Sequence, residues 1–200
     1  MHKNTRSTGS CYERKAADYL KQQGMEDTVN IVSLQGTLGS TAQIGRTKGF
    51  EAVCRQHPEW NLLESRPADF TQAKGKEVME DFLRLYEDID VVISENDNMT
   101  FGAIDAIEQA GKTCGPDGDI CIISFDAVQA ALIAMQNGKI NADFECNPLL
   151  APKVEEVIRR LEKGERVEKI QYIDETYYDS SMDLSKVIDQ ERNGNENGEF

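Results

Sequence analysis

The sequence predicts an α/β fold: a parallel sheet with helices on both faces. Three observations carry that prediction. Short β-branched runs, VNIVSL at 29–34, DVVIS at 90–94 and DICIIS at 119–124, read as strands covered on both sides. Longer segments between them repeat their apolar residues at helical spacing. Glycines, prolines or capping residues mark most of the junctions.

The elements follow in order. Tyr12–Gln23 carries Ala16, Tyr19 and Leu20 on one helical face, and Gly24 stops it. The strand Val29–Leu34 ends before Gly36, and Ser40 or Thr41 can cap a helix running to about His57, with Pro58 after it. Asn61–Ser65 is a weaker strand. Thr71–Tyr86 presents Val78, Phe82 and Leu85 on one face. After the strand Asp90–Ser94, a helix over Asp97–Ala110 aligns Ala103, Ala106, Ile107 and Ala110 and closes at Gly111. Asp119–Ser124 is a strand, and Ala127–Gln136 is a helix closed by Gly138. Ile140–Cys146 is extended, Pro148–Leu161 is helical, and Glu168–Ile173 is expected as a last strand. Strict alternation of this kind implies a Rossmann-like or flavodoxin-like sheet with right-handed crossovers. Residues 1–10 and the tail 180–200 are polar and aperiodic, so both are expected to be disordered. A structured chain that opens on a helix suits one whose upstream half is missing.

Composition excludes several functions. Lys and Arg total 22 against 36 Asp and Glu in 200 residues, a formal charge of −14. That surface repels phosphate backbones, and no basic run offsets it, so no nucleic-acid partner is expected. No stretch is long and apolar enough to span a bilayer, and no signal peptide opens the chain. Cys11, Cys54, Cys114, Cys121 and Cys146 form an odd set without a C-x-x-C pair, and there are two His. A metal is therefore not expected, although Cys114 and Cys121 flank a Gly-rich turn and could pair. Motifs for phosphate loops, dinucleotide binding and serine nucleophile elbows are absent. His57 lies at a helix end before Pro58, away from the expected ligand edge. The sequence reads as neither an enzyme nor a cofactor carrier.

Open parallel sheets bind ligands beyond the carboxyl ends of their strands. There the sequence supplies Gln35–Ser40, then Arg66 and Asp69, then Glu95-Asn96-Asp97, then Phe125-Asp126, then Glu145-Cys146-Asn147. Arg46 sits in the second turn of its helix, with Phe50 and Val53 on its own face, so it points inward. It could salt-bridge Asp126 or Glu95. Asn96 or Asp97 could cap the helix that follows them, and Asp126 could cap the next. Together, Arg46 as donor, Asp126 as acceptor and Asn96 as both form a set suited to vicinal hydroxyls. Phe125 and Phe101 lie near the edge as possible stacking faces or as core.

Five motifs in register carry a resemblance: GTLGSTAQIGRTKGF (36–50), DFTQAKGKEVMEDFL (69–83), ISENDNMTFGAIDAIEQAG (93–111), IISFDAVQAALIAMQNGKINADFECNP (122–148) and LEKGE (161–165). The chain resembles the periplasmic sugar-binding proteins of ABC transporters, most closely the galactofuranose-binding branch, over about residues 11 to 179. The resemblance implies that residues 11–143 are the second, C-terminal lobe of a two-lobed periplasmic-binding-protein-like fold. Residues 144–179 would cross toward a remnant of the first lobe and the hinge. It places the family's ligand-binding Arg, Asn and Asp on Arg46, Asn96 and Asp126. It also implies a monosaccharide ligand such as galactofuranose, galactose or ribose. A membrane permease would be the partner, and the location periplasmic, or extracellular and lipid-anchored. Ribose-type members bind sugar through a Gln where this chain reads Glu145-Cys146-Asn147, which disfavours ribose. The sugar-effector core of a LacI-type regulator shares the architecture, but the upstream helix-turn-helix of that class is not in this sequence.

Overall fold

The computed structural model describes residues 9–22, 24, 28–171 and 173–189. Helix α1 (Gly9–Gln22) precedes β1 (Val29–Gln35), α2 (Thr41–Cys54), β2 (Trp60–Pro67), α3 (Gln72–Leu85) and β3 (Val91–Ser94). There follow α4 (Asp97–Gln109), β4 (Cys121–Asp126), α5 (Gln129–Gln136), β5 (Ala142–Glu145), α6 (Ala151–Glu162) and β6 (Tyr177–Asp179). The sheet runs β2-β1-β3-β4-β5-β6. Its first five strands are parallel, in the flavodoxin-like order, and β6 joins antiparallel at the edge.

Strand alternation divides the core. Val32, Leu34, Val92, Ile120 and Ile122 face a layer formed by α3, α4 and α5. Val29, Ile31, Val91, Ile93 and Ile123 face α1 and α2 through Tyr19, Leu20, Phe50 and Val53. Period-two alternation inside continuous apolar runs is what a sheet covered on both faces requires. Caps at Ser40, Thr71 and Asn96 start α2, α3 and α4 by accepting the backbone N–H of Gln43, Lys74 and Met99.

Helices α3 and α4 meet through glycine. A Cβ on Gly102 would stand 2.1 Å from the Gln72 carbonyl oxygen and 2.6 Å from the Lys76 nitrogen, so the backbones touch there. That contact fixes two helices whose first residues border the ligand edge.

Three expectations are corrected. The last strand is Tyr177–Asp179 and antiparallel, not residues 168–173. Ile170 is 68% exposed, whereas Tyr177 packs its ring at a tilt against Phe144, centroids 5.2 Å apart, so aromatic pairing selects the later segment. Residues 180–189 are not a disordered tail: Leu184 and Ile188 are buried against the α3–α5 layer, and Gln129 Nε2 donates to the Ile188 carbonyl at 2.9 Å. Residues 190–200 and 1–8 lie outside the described residues, and Gly9 and Ser10 open α1. Cys114 and Cys121, whose pairing the sequence left open, are both buried free thiols. Leu85, expected on the core face of α3, is 60% exposed.

Helix α6 buries none of its residues, and Leu150, Val154, Ile158 and Leu161 form an exposed stripe along it. Among the described residues no helix is long and apolar enough to cross a membrane.

Candidate functional site

The chain enters β1, moves outward to β2, and returns to build β3 on β1's other side. Loops leaving β1 and β3 therefore diverge and open a crevice at the strands' carboxyl end. Gly36 closes β1, and its N–H donates to Glu95 Oε2 at 2.7 Å across that crevice. Glu95 Oε1 accepts the Thr47 hydroxyl. Thr47 Oγ1 in turn accepts Gln35 Nε2 at 3.1 Å and Gln43 Nε2 at 2.9 Å. Burial pushes the Glu95 carboxyl up, while these donors and Arg46 pull it down. The network ties the start of α2 to the ends of β1 and β3.

Arg46 crosses this rim. Its Nη2 donates to Asp126 Oδ1 at 2.7 Å, and Nη1 donates to the Glu95 carbonyl. The guanidinium lies over the Phe125 ring at 5.1 Å, and the side chain is 14% exposed. Of the two salt bridges weighed from sequence, the one to Asp126 forms; Glu95 is held through its backbone carbonyl, and its carboxylate engages Gly36 and Thr47 instead. Burial pushes Asp126 up, and the adjacent guanidinium opposes it.

Asn96 caps α4: its Oδ1 accepts the Met99 N–H at 3.0 Å, and its Nδ2 donates to the Phe70 carbonyl at 3.4 Å. Asp126 does not cap α5. It leaves β4 with φ 111°, and Ala127 follows with φ 53°. No side chain caps α5; Asp97 Oδ2 instead accepts the Val128 N–H at 2.8 Å and holds the turn before the helix. The structure therefore sets Arg46 and Asp126 in direct contact. Asn96 stands next in sequence to Glu95, whose carbonyl Arg46 holds.

Phe70 was missed from sequence. It follows β2 with φ 58°, after Asp69 at φ 52°, and its ring lies against Gly36 so closely that a Cβ there would stand 1.9 Å from Cζ. Its carbonyl anchors Asn96. The readable signal was an aromatic between a strand end and the Thr71 cap. The two phenylalanines considered instead belong to the core: Phe125 is buried and packs on Phe144 at 5.1 Å, and Phe101 is half-buried against the α3–α5 layer. Cys146 is also at the rim, its N–H donating to the Asp126 carbonyl at 3.2 Å and its thiol beside Arg46. Arg66 is not part of the site. It pairs with Glu64 and Asp81 and lies over Phe82.

The arrangement gathers hydroxyl, amide, guanidinium and carboxylate groups at one rim. His57 is bound to Glu59 and stacked on Trp60 at 4.4 Å, beyond the opposite end of the sheet from the rim. Among the described residues no cluster of three metal-ligating side chains occurs.

Comparison with known proteins places residues 14–148 in the family described as "Periplasmic binding protein domain". The galactofuranose-binding protein YtfQ of Escherichia coli K12 is 36% identical over 165 residues, covering 80% of this chain and 51% of that protein. The ribose import binding protein RbsB of Salmonella typhimurium is 33% identical over 154 residues, covering 76% and 50%. Among solved structures, the binding protein component of an arabinose transporter from Shewanella sp. ANA-3, bound to L-arabinofuranose, superposes with TM-score 0.85 at 32% identity, covering 97% of this chain and 64% of that one. The chain thus spans about half the length of the curated relatives it matches.

Proposed function

Because the chain belongs to the periplasmic binding protein domain family, we propose that it supplies one lobe of a monosaccharide-binding cleft in a carbohydrate ABC transporter. Residues 11–143 form the lobe, and residues 144–179 lead toward the partner lobe and hinge. Arg46, Asn96 and Asp126 contact the sugar, and the ligand is a furanose such as galactofuranose.

The observation that carries this reading is the Arg46–Asp126 pair at a crevice rim with the Asn96 amide beside it. A planar donor fork against a carboxylate can exchange its internal bond for two hydroxyls of one ring, the donor and the acceptor each finding a partner. The Phe70 ring offers an apolar face at the same rim. The furanose assignment draws on relatives named for galactofuranose and solved with arabinofuranose. By the same family relation the protein works outside the cytoplasmic membrane and delivers its ligand to a membrane permease. Its role is binding rather than catalysis.

A single lobe contributes part of the hydrogen-bonding groups and leaves water on one side of the sugar. Binding by this chain alone should be weaker than about 1 mM, roughly −4 kcal/mol. Isothermal titration with galactofuranose and with ribose tests this. No heat, or a millimolar fit, is expected. A micromolar fit would show a complete site within this chain and overturn the half-cleft reading.

A further inference from the structure

Beneath the rim, two carboxyl groups from different elements converge on one turn. Asp97 opens α4 and Asp143 lies in β5, and both are buried. Asp97 Oδ2 accepts the Val128 N–H at 2.8 Å, and its Oδ1 accepts the Ser124 hydroxyl at 2.5 Å. That hydroxyl stands 2.7 Å from Thr100 Oγ1. Asp143 Oδ1 accepts the Ala127 N–H at 3.2 Å, while its Oδ2 is buried and faces no donor. The carboxyl within hydrogen-bond reach of Asp143 is that of Asp97.

We propose that Asp97 and Asp143 share one proton and act as a proton-dependent clamp on the Asp126–Val128 turn, positioning Asp126 against Arg46.

Two carboxylates cannot both stay charged in contact without a cation between them. A proton on Asp143 Oδ2 turns the orphaned oxygen into a donor to Asp97 and satisfies every polar atom of the pair. The titratable groups facing the pair are Asp126 at the end of β4, which repels it, and Tyr178 of β6, the register partner of Asp143; beyond Asp126 lies Arg46 from α2, engaged by it. Helix α5 carries no ionisable residue. Burial pushes both carboxyls upward; the Asp97 charge pushes Asp143 further, while the hydrogen bond from Asp143 pulls Asp97 back, the division a proton held on Asp143 produces.

The two amides they hold belong to consecutive residues, Ala127 and Val128. The carboxyls therefore cannot separate without one of them releasing its amide. Asp126 and Ala127 both have positive φ, a conformation non-glycine residues hold only when their surroundings fix it. The clamp is what fixes it. Removing the shared proton should loosen the turn that aims Asp126. Asp97 and Asp143 are positioning residues and do not touch the ligand.

The sign follows from linkage. The folded pair binds its proton more tightly than unfolded aspartates, which titrate near pH ~4. The stabilisation is present below that pH and is lost as pH rises through the folded pair's titration.

Backbone hydrogen exchange at Ala127 and Val128, corrected for intrinsic rates, reads the clamp directly and needs no sugar. In the wild type, protection of these two amides should fall about tenfold or more between pH ~5 and pH ~9. In Asp143→Asn the new amide donates to Asp97 and accepts from Ala127 without a titrating proton, so protection should change by less than about twofold. An equal fall in D143N, or a flat wild-type profile, overturns the proposal. The 13C carboxyl shifts of the wild type give a second reading that does not depend on the variant folding. One of the two carboxyls should remain protonated at neutral pH, and two ionised carboxylates there would also overturn it.

Discussion

Arg46→Met should abolish detectable sugar binding and lower stability by about 1–3 kcal/mol. The guanidinium joins three elements at once through Asp126, the Glu95 carbonyl and the Phe125 ring. Met keeps the apolar stem and removes every donor. The Glu95 carbonyl loses its partner, and Asp126 is left half-buried without its cation. The stability loss stays below that of a fully buried pair because the Asp126 side chain is 31% exposed and water can reach it. Binding suffers more, since truncating one member of a hydrogen-bonded charge pair costs roughly 2–5 kcal/mol in recognition. Arg46→Lys separates the two effects. Its point charge should restore much of the stability through Asp126, yet it lacks the fork needed to hold two acceptors, so binding should remain impaired. Urea denaturation and ligand titration on both variants check the pattern. Full binding by Arg46→Met would remove Arg46 from the site.

Gly102→Val should destabilise the fold by about 3 kcal/mol or more. The added Cβ would lie 2.1 Å from Gln72 O and 2.6 Å from Lys76 N. Both are backbone atoms of α3, so no side-chain rotation relieves the clash, and the helices must part. Their separation would displace Phe70 and Asn96, which immediately precede the N-terminal regions of α3 and α4. Gly45→Ala is the matching control. It sits in α2 with nothing within 4 Å of its missing Cβ, so alanine should stabilise by about 0.5–1 kcal/mol. Urea midpoints of the two variants should move in opposite directions. A Gly102→Val protein as stable as the wild type would show that α3 and α4 do not pack this closely.

Much of the fold was legible because its signals are local. Gly24, Gly36, Gly111, Gly138 and Gly164 punctuate the elements, and β-branched runs mark β1, β3 and β4. What escaped depends on distant partners. β6 exists because Tyr177 meets Phe144, whereas residues 168–173 have the better local pattern. The burial of Leu184 and Ile188 was signalled by their i, i+4 spacing, but a polar surrounding sequence masked it. At the rim, topology alone gathers the residues that follow β1, β3 and β4, so Arg46, Asn96 and Asp126 could be read from position. Phe70 carried only the local signal of an aromatic before the Thr71 cap, because positive φ at two successive residues redirects the chain after β2. The turn before α5 escaped as well: Asp126 has the local capping position, but Asp97 and Asp143 hold the Val128 and Ala127 amides from other elements.

The most direct test of the rim as a sugar site is an NMR titration of this chain with a galactofuranoside, which detects weak binding residue by residue. Saturable shift changes should cluster at the Arg46 side chain, the Asn96 amide group, the Asp126 backbone and the Phe70 ring. They should fit a dissociation constant in the millimolar range or weaker, about −4 kcal/mol or less favourable, and disappear in Arg46→Met. Saturable changes centred elsewhere, with these four residues unmoved, would contradict the assignment.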